Sequence, residues 1–535
     1  MAVDQVWSAA VAGLDGDPSA GLNTAWECCE RYAGDRGRLA LTVRHADGSS
    51  ERWTYFELAR AAAQAARVFT RAGLRPGDRV AAVLSRQVEA WICALAAWRA
   101  GLVYVPLYCG FGTQALVQRL RPTEPAAVVA DWQWRAALDD ALGELPFEPR
   151  VFTVTEAGGR TQPGDRSFWA EIDAAAPDGP TAPTAADDVA TIMFTSGTTS
   201  QPKGCLITHG GFVCLIPVVR HCFALGPGDV LFTTSDPGWS YGLYTTGFVP
   251  MALGTPRVVY SGDFEPEAWL RTIEAERITF VAGAPSAFRR LLEAVRVQGV
   301  PSCLRGATCA GEPLDADTCA AWQDVTGTPL RDGYGLSEVG MALANLGDPP
   351  TPVVPGSLAA AVPGFDVGLL SRSGEPVEAG EEGIIAVRRP PFQLSSGYLG
   401  APDEWERRWV GDWFLTEDVA RRDSEGRWWF RGRADDVIVT SGYNVGPVEV
   451  ETVLLEQPGV AEAAVVAEPD RSRGAVVRAV IVPTAEAPPP DELTARLQEA
   501  VRRRIGRHAY PRIVDFAESL PRTETGKLRR SALRR

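Results

Sequence analysis

Residues 195–204, TSGTTSQPKG, decide the fold, because this polar segment directly follows the apolar stretch VATIMF at residues 189–194. The apolar stretch is predicted to be a buried β-strand, and the polar segment a loop at its end. Exposed backbone N–H groups, small hydroxyl residues and one lysine, Lys203, are suited to holding phosphate oxygens. A polar surface turn is the alternative. A Walker phosphate loop does not fit, since that pattern places Gly before Lys, and Lys203 here precedes Gly204.

Helix and strand patterns alternate around this loop. Residues 56–73 have the spacing of an amphipathic helix, and residues 79–84 and 102–107 are short apolar stretches typical of buried strands. This alternation predicts an α/β fold built on a parallel sheet. Residues 351–430 are richer in strand patterns and Gly-Pro turns, which indicates a β-rich subdomain.

The last hundred residues form a separate pattern. Two helices, at residues 447–457 and 492–506, alternate with two strands, at residues 461–468 and 476–483. We therefore predict a large N-terminal α/β domain, residues 1–432, and a small C-terminal α+β domain, residues 433–535.

Composition excludes several classes of protein. The 535-residue chain has a formal net charge of -14, which argues against nucleic-acid binding. Its ten cysteines contain no C-x-x-C pair, so a zinc site is not expected, and scattered thiols fit the cytoplasm. The N-terminus has no signal-peptide pattern. The apolar residues 90–108 contain Arg99 and Pro106, which favours a buried helix and strand over a transmembrane segment.

Residues 195–204 resemble the phosphate-binding signature of the adenylate-forming superfamily, which includes acyl-CoA synthetases, firefly luciferase and the adenylation domains of peptide synthetases. Ser200 stands where glycine is usual. Further motifs follow in the family's order, so the resemblance covers roughly residues 50 to 531. It implies stacked α/β layers in the N-terminal domain, a mobile C-terminal domain, and binding of ATP and Mg²⁺.

The resemblance implies a set of nucleotide-binding residues. Ala310-Gly311-Glu312-Pro313 resembles a turn along one adenine face, and Tyr334 would flank the other. Asp332 would face the exocyclic amine. The full ATP- and AMP-binding set is Thr195, Ser196, Gly197, Thr198, Thr199, Lys203, Gly311, Glu312, Pro313, Asp332, Gly333, Tyr334, Gly335, Ser337, Asp418 and Arg433.

Three residues are expected to be catalytic by the same resemblance: Thr195, Glu338 and Lys527. Glu338, in DGYGLSE at residues 332–338, would bind the Mg²⁺ that bridges the phosphates, and one carboxylate suffices for such a site. An ordinary helix N-cap is the alternative for this motif. Lys527, in PRTETGK at residues 521–527, would meet the substrate carboxylate and the α-phosphate, where an ammonium stabilises developing charge.

Asp418 and Arg433 would bind the ribose, and Asp435 would be the hinge on which the small domain turns. Glu417 stands where the family usually has glycine. A surface charge cluster is the alternative for residues 431–436.

The acyl pocket is expected to contain Trp239, Ser240, Tyr241, Ala310 and Gly335. Trp239 lies in a D-x-G-W segment similar to one that lines the acyl pocket of related synthetases, and plain core packing is its alternative. Acetate-specific relatives carry tryptophan at the position matching Gly335 and a bulkier aliphatic at Ala310. The resemblance therefore implies a medium-chain or aromatic carboxylic acid.

The predicted activity is that of an ATP-dependent acid–thiol ligase, which forms an acyl-adenylate, releases pyrophosphate and acylates coenzyme A. Candidate CoA residues are Ser441, Gly442, Tyr443, Arg473 and Arg502, although a solvated basic face is an equal interpretation of the arginines. Two alternatives stay open: an adenylation enzyme that loads the pantetheine of a carrier protein, and a non-catalytic nucleotide-binding protein.

Overall fold

The computed structural model describes residues 3–155, 161–162, 164–195, 202–378, 380–434, 436, 438–440, 443–470, 474–504, 509–522 and 528–534. The chain divides into two compact units. The first comprises Met1–Val367 and Arg388–Trp409, and the second comprises Gly368–Val387 and Val410–Arg535. This division differs from the predicted boundary between residues 432 and 433, which stays a prediction.

The predicted phosphate loop leaves an eight-stranded sheet in the first unit. Its strands, in order across the sheet, are Ser395–Tyr398, Lys203–Thr208, Val189–Thr195, Val103–Leu107, Arg79–Val83, Ala127–Asp131, Arg150–Val154 and Arg166–Ser167. The inner strands Val103–Leu107, Arg79–Val83 and Ala127–Asp131 are parallel, as predicted. Lys203–Thr208 is antiparallel to Val189–Thr195, so that Thr195 and Lys203 face each other.

A nine-stranded sheet completes the first unit. In order across the sheet its strands are Ala360–Ala361, Gly340–Ala344, Leu330–Leu336, Gly306–Ala310, Phe280–Gly283, Leu231–Thr233, Arg257–Ser261, Leu39–His45 and Ser50–Thr54. From Leu330–Leu336 to Leu39–His45 every neighbouring pair is parallel. The predicted nucleotide residues 310–313 and 332–338 therefore lie at the carboxyl ends of neighbouring strands, where α/β proteins bind ligands.

Helices cover these sheets and bury their apolar sides. Tyr55–Arg71 begins with a capping box, in which Thr54 and Glu57 each accept from the other's backbone N–H. The other α-helices of this unit are Val3–Val11, Thr24–Cys28, Val88–Arg99, Thr113–Thr123, Arg135–Gly143, Phe168–Asp173, Val249–Ala252, Pro266–Ala275, Pro285–Gln298, Ala316–Thr326 and Pro402–Glu406. Its shorter helical segments are the 3₁₀-helices Glu30–Tyr32, Trp132–Trp134 and Gly211–Leu215 and the π-helical Val218–Phe223 and Tyr241–Phe248.

The apolar residues 90–108 form part of the helix Val88–Arg99 and the buried strand Val103–Leu107, as predicted. Within the described ranges, no helix combines the length and apolarity that crossing a membrane requires.

The second unit contains the predicted C-terminal α+β pattern and part of the predicted β-rich region, since residues 351–367 and 388–409 of that region belong to the first unit. Its first sheet is formed by Val367–Leu370, Glu382–Arg388, Trp413–Arg422, Trp409–Val410 and Trp428–Arg433. Ile438–Thr440 pairs with Tyr443–Val445, and Val460–Asp470, Gly474–Pro483 and Ile513–Phe516 form a three-stranded sheet. The helices are Pro447–Leu455, Pro490–Arg504 and the 3₁₀-helix Arg530–Leu533. Leu454, Val465, Ile481 and Leu497 pack in its core.

Candidate active site

Glu338 lies in the turn between two antiparallel strands, Leu330–Leu336 and Gly340–Ala344. The alternative that residues 332–338 form a helix N-cap is therefore wrong. The Glu338 side chain is buried, and its Oε1 accepts a hydrogen bond of 2.7 Å from the hydroxyl of Tyr398. A buried carboxylate needs such a donor, because leaving its charge unsatisfied costs several kcal/mol, on the order of the penalty for an uncompensated buried ion.

Asp332 is the most deeply buried acid of the predicted adenine site, with 5% of its surface exposed. Its Oδ1 accepts from the Gly333 N–H at 2.9 Å and from the Cys309 thiol at 3.7 Å. Asn345 fixes the backbone, since its Oδ1 accepts from the Asp332 N–H at 2.8 Å. Burial nevertheless raises the pKa of the Asp332 carboxyl from 3.8 to about 7.

The predicted turn along the adenine follows the strand Gly306–Ala310. Gly311 has φ +94°, a conformation that side chains rarely adopt, and a Cβ there would meet nothing within 4 Å. The next residue, Glu312, accepts from Ser286 Oγ at 3.2 Å, and Pro313 is exposed. Glycine at position 311 therefore serves the backbone turn.

The two described ends of the phosphate loop lie side by side. The Oγ1 of Thr195 lies 3.5 Å from the Lys203 carbonyl oxygen. Lys203 Nζ forms an ion pair of 2.5 Å with Glu404 Oε1 and lies 5.3 Å from the centre of the Tyr398 ring. Tyr398 thus contacts both the loop lysine and the predicted metal ligand, Glu338.

Trp239 belongs to an aromatic cluster with Tyr108 and Phe111. Its ring centre lies 6.0 Å from that of Tyr108 and 5.8 Å from that of Phe111. The turn before it is fixed by Asp236, whose Oδ1 accepts from the Gly238 N–H at 2.8 Å. Trp239 is half-buried, so it packs on this cluster while part of its surface remains accessible. Ser240 and Tyr241 follow where the π-helical segment begins.

Gly335 does not supply pocket volume in this structure. A Cβ at this position would lie 2.3 Å from the Gly340 carbonyl oxygen and 2.5 Å from the Met341 Cα. The missing side chain is replaced by backbone of the neighbouring strand, at a β-bulge between Tyr334 and Gly335. The preference for a larger acid stays a prediction. It rested on the space left in the acyl pocket by two small residues, Gly335 and Ala310, and only Ala310 still supports it.

Asp418 and Arg433 pair directly within the second unit. They are register partners in neighbouring strands, and Arg433 Nη1 lies 3.4 Å from Asp418 Oδ1. Arg433 Nη2 also lies 2.9 Å from Glu417 Oε2. Glu417 has φ +64°, a left-handed conformation that favours glycine. Asp418 is buried, and the ribose-binding role of Asp418 and Arg433 stays a prediction, as does the alternative of a surface charge cluster at residues 431–436.

The candidate CoA residue Arg502 lies on the helix Pro490–Arg504. Its guanidinium lies 4.1 Å from the centre of the Tyr510 ring and 3.5 Å from Glu499. Arg502 is exposed, and both its CoA-binding role and the alternative of a solvated basic face stay predictions.

Several predicted residues lie outside the described residues, and their roles stay predictions. They are Ser196, Gly197, Thr198, Thr199, Asp435, Ser441, Gly442, Arg473 and Lys527; for Tyr443 only the backbone is described. Arg522 and Leu528, on either side of residues 523–527, pair in an antiparallel bridge.

Four residues that contact the predicted site escaped the sequence: Tyr398, Glu404, Tyr108 and Phe111. Tyr398 and Glu404 lie 60 or more positions from Glu338, so no local spacing connects them. Tyr108 and Phe111 flank Cys109-Gly110, and this short stretch has the pattern of a turn rather than of a binding site. A signal did exist, because GYLG at residues 397–400 ends a strand with an aromatic beside glycine.

Comparison with known proteins agrees with this arrangement. Residues 29–399 match the AMP-binding enzyme family, and residues 449–527 match the AMP-binding enzyme C-terminal domain. The uncharacterized acyl-CoA ligase YtcI of Bacillus subtilis is 32% identical over 511 residues, which cover 95% of this chain and 94% of that protein.

Solved structures give the same result. An acyl-CoA synthetase from Brucella canis has a TM-score of 0.77 and 34% identity, covering 98% of this chain and 96% of that one. A benzoate CoA ligase from Burkholderia xenovorans LB400 has a TM-score of 0.84 and 26% identity, covering 96% of this chain and 100% of that one. The predicted fold, a large N-terminal and a small C-terminal domain, is thereby confirmed. This chain belongs to the AMP-binding enzyme family, and within it to the acyl-CoA synthetases.

Proposed function

We propose that this acyl-CoA synthetase activates a medium-chain or aromatic carboxylic acid as its adenylate and transfers the acyl group to coenzyme A. The observation that carries the proposal is the hydrogen bond from Tyr398 to Glu338, which links Glu338 to the phosphate-loop strand, Lys203–Thr208. The link lies at the carboxyl ends of Ser395–Tyr398 and Leu330–Leu336, strands of two different sheets. Such strand ends are where nucleotide sites form in α/β proteins.

Glu338 fits a magnesium site because it is a buried carboxylate that the hydroxyl of Tyr398 orients. Among the side chains that the structure describes, no group of three or more His, Cys, Asp or Glu is arranged for a metal. A site with one protein carboxylate suits Mg²⁺ bound mainly by phosphate oxygens and water. Glu338 would hold the ion, whose charge would neutralise the phosphates that it contacts.

In the first step, an oxygen of the acid's carboxylate attacks the α-phosphorus of ATP, and the bond to the bridging oxygen breaks to release pyrophosphate. Both reacting groups are anions, so cationic side chains are needed to bring them together. Lys203 would bind the leaving phosphates once it exchanges Glu404 for them, and Lys527 would bridge the carboxylate and the α-phosphate.

In the second step, the CoA thiol loses its proton and its sulfur attacks the acyl carbon. The carbon–oxygen bond to AMP then breaks, and AMP leaves as a stable phosphate anion. Dividing the reaction in this way replaces the poor leaving group of a carboxylate by a good one.

The acid class is supported by the aromatic cluster of Tyr108, Phe111 and Trp239, which offers flat apolar surfaces. The benzoate CoA ligase named above acts on an aromatic acid. Since Trp239 is only half-buried, an aromatic ring or an alkyl chain can cover its exposed part and gain about 25 cal/mol per Å² of apolar surface removed from water.

The test is an acid panel in two assays, acid-dependent ATP–pyrophosphate exchange and formation of the CoA thioester. Hexanoate and benzoate are expected to have a higher kcat/KM than acetate. A higher kcat/KM for acetate than for both would contradict the acid class. The Trp239→Ala variant should lower kcat/KM for benzoate more than for acetate, because only the larger acid reaches the aromatic cluster.

Transfer to the pantetheine of a carrier protein is the second candidate acceptor chemistry. Saturable thioester formation with free CoA supports the main proposal, whereas turnover only with a carrier protein that bears a free pantetheine thiol would contradict it. We also propose that the enzyme acts in the cytoplasm, since all ten cysteines are free thiols.

A further inference from the structure

Tyr398 contacts the carboxylate of Glu338, the proposed metal ligand. Its hydroxyl donates to Glu338 Oε1 at 2.7 Å, while only 2% of the Tyr398 surface is exposed. The hydrogen bond occupies one carboxylate oxygen and fixes the plane of the group. A carboxylate that rotates freely would have to lose that freedom each time it bound a cation.

The Tyr398 ring is held from two sides. Trp405 packs on it edge-on, with ring centres 5.1 Å apart at an interplanar angle of 90°. The strand Ser395–Tyr398 is paired with the phosphate-loop strand, where Tyr398 is the partner of Cys205. The Leu399 N–H donates to the Gly204 carbonyl at 2.8 Å, which extends this pairing past the tyrosine.

The same strand holds the backbone of the Glu338 turn. Ser395 Oγ donates to the Ser337 carbonyl at 2.6 Å, and the Ser395 N–H donates to the Glu338 carbonyl at 3.2 Å. One short strand therefore fixes both the main chain and the side chain of Glu338 relative to the phosphate-loop strand.

Lys203 is the neighbouring cation in this arrangement. Its Nζ lies 5.3 Å from the centre of the Tyr398 ring and is paired with Glu404 on the helix Pro402–Glu406. The ammonium of Lys203 thus lies near the ring of Tyr398, while the hydroxyl of the same tyrosine donates to the carboxylate of Glu338.

We propose that Tyr398 is a positioning residue. Its hydroxyl occupies Oε1 of Glu338, so that Oε2 would be free to hold the magnesium ion of MgATP. This inference rests on the proposed function, because it assigns the metal to adenylation. The strand Ser395–Tyr398 then sets the separation between the carboxylate and the phosphate-loop strand. Metal binding and phosphate binding are therefore adjusted together.

The test variant is Tyr398→Phe, which removes the hydroxyl and keeps the ring. We expect the Kd of MgATP, measured by calorimetry, to rise about tenfold, the effect of losing one hydrogen bond to a charged acceptor. The Mg²⁺ concentration for half-maximal pyrophosphate exchange should rise as well. Thioester formation from a synthetic acyl-adenylate and CoA should stay at the wild-type rate, because that step contains no triphosphate.

The matched control is Tyr55→Phe, which removes another buried hydroxyl, one that donates to the Met251 carbonyl at 2.9 Å. This control should leave MgATP binding unchanged. In the Glu338→Gln background, Tyr398→Phe should have no further effect on the Mg²⁺ dependence, since the oriented carboxylate is already absent.

Two results would overturn the inference. One is an unchanged Kd of MgATP and an unchanged Mg²⁺ dependence in Tyr398→Phe. The other is an equal loss in both half-reactions, which would mean a general structural role. Failure of the proposed function would look different. The wild-type protein would then bind MgATP but form no acyl-CoA from any acid, and the Kd of MgATP could still be compared between wild type and Tyr398→Phe.

Discussion

Two regions of the molecule hold acids in opposite ways. In the turn region, Asp332 and Glu338, the donors are neutral: a backbone N–H, a thiol and a tyrosine hydroxyl. In the hairpin region, Glu417 and Asp418, the partner is the guanidinium of Arg433. Neutral donors orient a carboxylate and leave its charge available to a cation or amine, whereas a guanidinium compensates that charge in advance.

The difference predicts how each region responds to change. Substitutions in the turn region should remove charge that the ligand itself needs, with large effects on adenylation. Substitutions in the hairpin region should remove an acid but also free the guanidinium of Arg433 from its ion pair. The freed guanidinium should offset part of the loss of nucleotide binding.

The largest effect is expected for Glu338→Gln, which keeps the shape of the side chain and removes its charge. Pyrophosphate exchange should fall by about 100-fold or more, the scale of losing one preorganised electrostatic contact at a reacting phosphate. The rate of ATP–pyrophosphate exchange at saturating acid measures this loss. An activity within a few-fold of wild type would show that Glu338 is not the metal ligand, and the contrast between the regions would lose its functional basis.

A smaller effect is expected for Asp418→Asn. If Asp418 binds the ribose hydroxyls, KM for ATP should rise by roughly 10- to 100-fold, since a hydrogen bond to a charged group is worth about 1.5–3 kcal/mol. The kcat should change less, because the ribose contact is made before and during the reaction alike. An unchanged KM for ATP would show that Asp418 does not bind the nucleotide. The Glu417→Gln variant is the control, since it changes the neighbouring acid alone.

Asp332 should make ATP binding depend on pH. Its pKa is raised to about 7, so the carboxylate that would accept the adenine amine forms as pH rises through neutrality. The Kd of ATP should fall by about tenfold between pH 6 and 8, because roughly nine-tenths of the group is protonated one pH unit below its pKa. Calorimetry on Asp332→Asn gives the reference, which should retain only the dependence due to ATP itself.

Glu417 should give the smallest effect, seen in stability. Its left-handed φ of +64° strains any residue with a Cβ, and glycine removes the strain. Glu417→Gly should therefore be more stable than Glu417→Ala by about 1 kcal/mol in urea unfolding, since both lose the ion pair with Arg433 and only one keeps the Cβ. That ion pair is partly exposed and contributes little. Equal stability of the two variants would mean that the backbone relaxes.

The sequence predicted the parts of this site that are written in consecutive residues. Apolar stretches gave the strands Arg79–Val83, Val103–Leu107 and Val189–Thr195, because buried parallel strands consist of such stretches. The choice of Glu338 as a candidate metal ligand followed from the family resemblance of its motif, whereas its place in a turn between two strands did not.

Contacts between distant segments were not predictable in the same way. The hydrogen bond from Tyr398 to Glu338 joins residues 60 positions apart, and only the pairing of Ser395–Tyr398 with Lys203–Thr208 brings them together. The direction of the missing side chain at Gly335 depends on a β-bulge, which shifts the register by a local irregularity that no residue pattern marks. The expected pocket volume is therefore not found at this position, and the role of Gly335 in the acyl pocket stays a prediction.

The close approach at Gly335 limits how such an enzyme can change its substrate during evolution. Any side chain here must displace Gly340 or Met341, which belong to the strand that leaves the Glu338 turn. A mutation at this position would therefore also shift the carboxylate proposed to bind magnesium. A change of acid preference that places a side chain at residue 335 must then be accompanied by compensating changes in the turn.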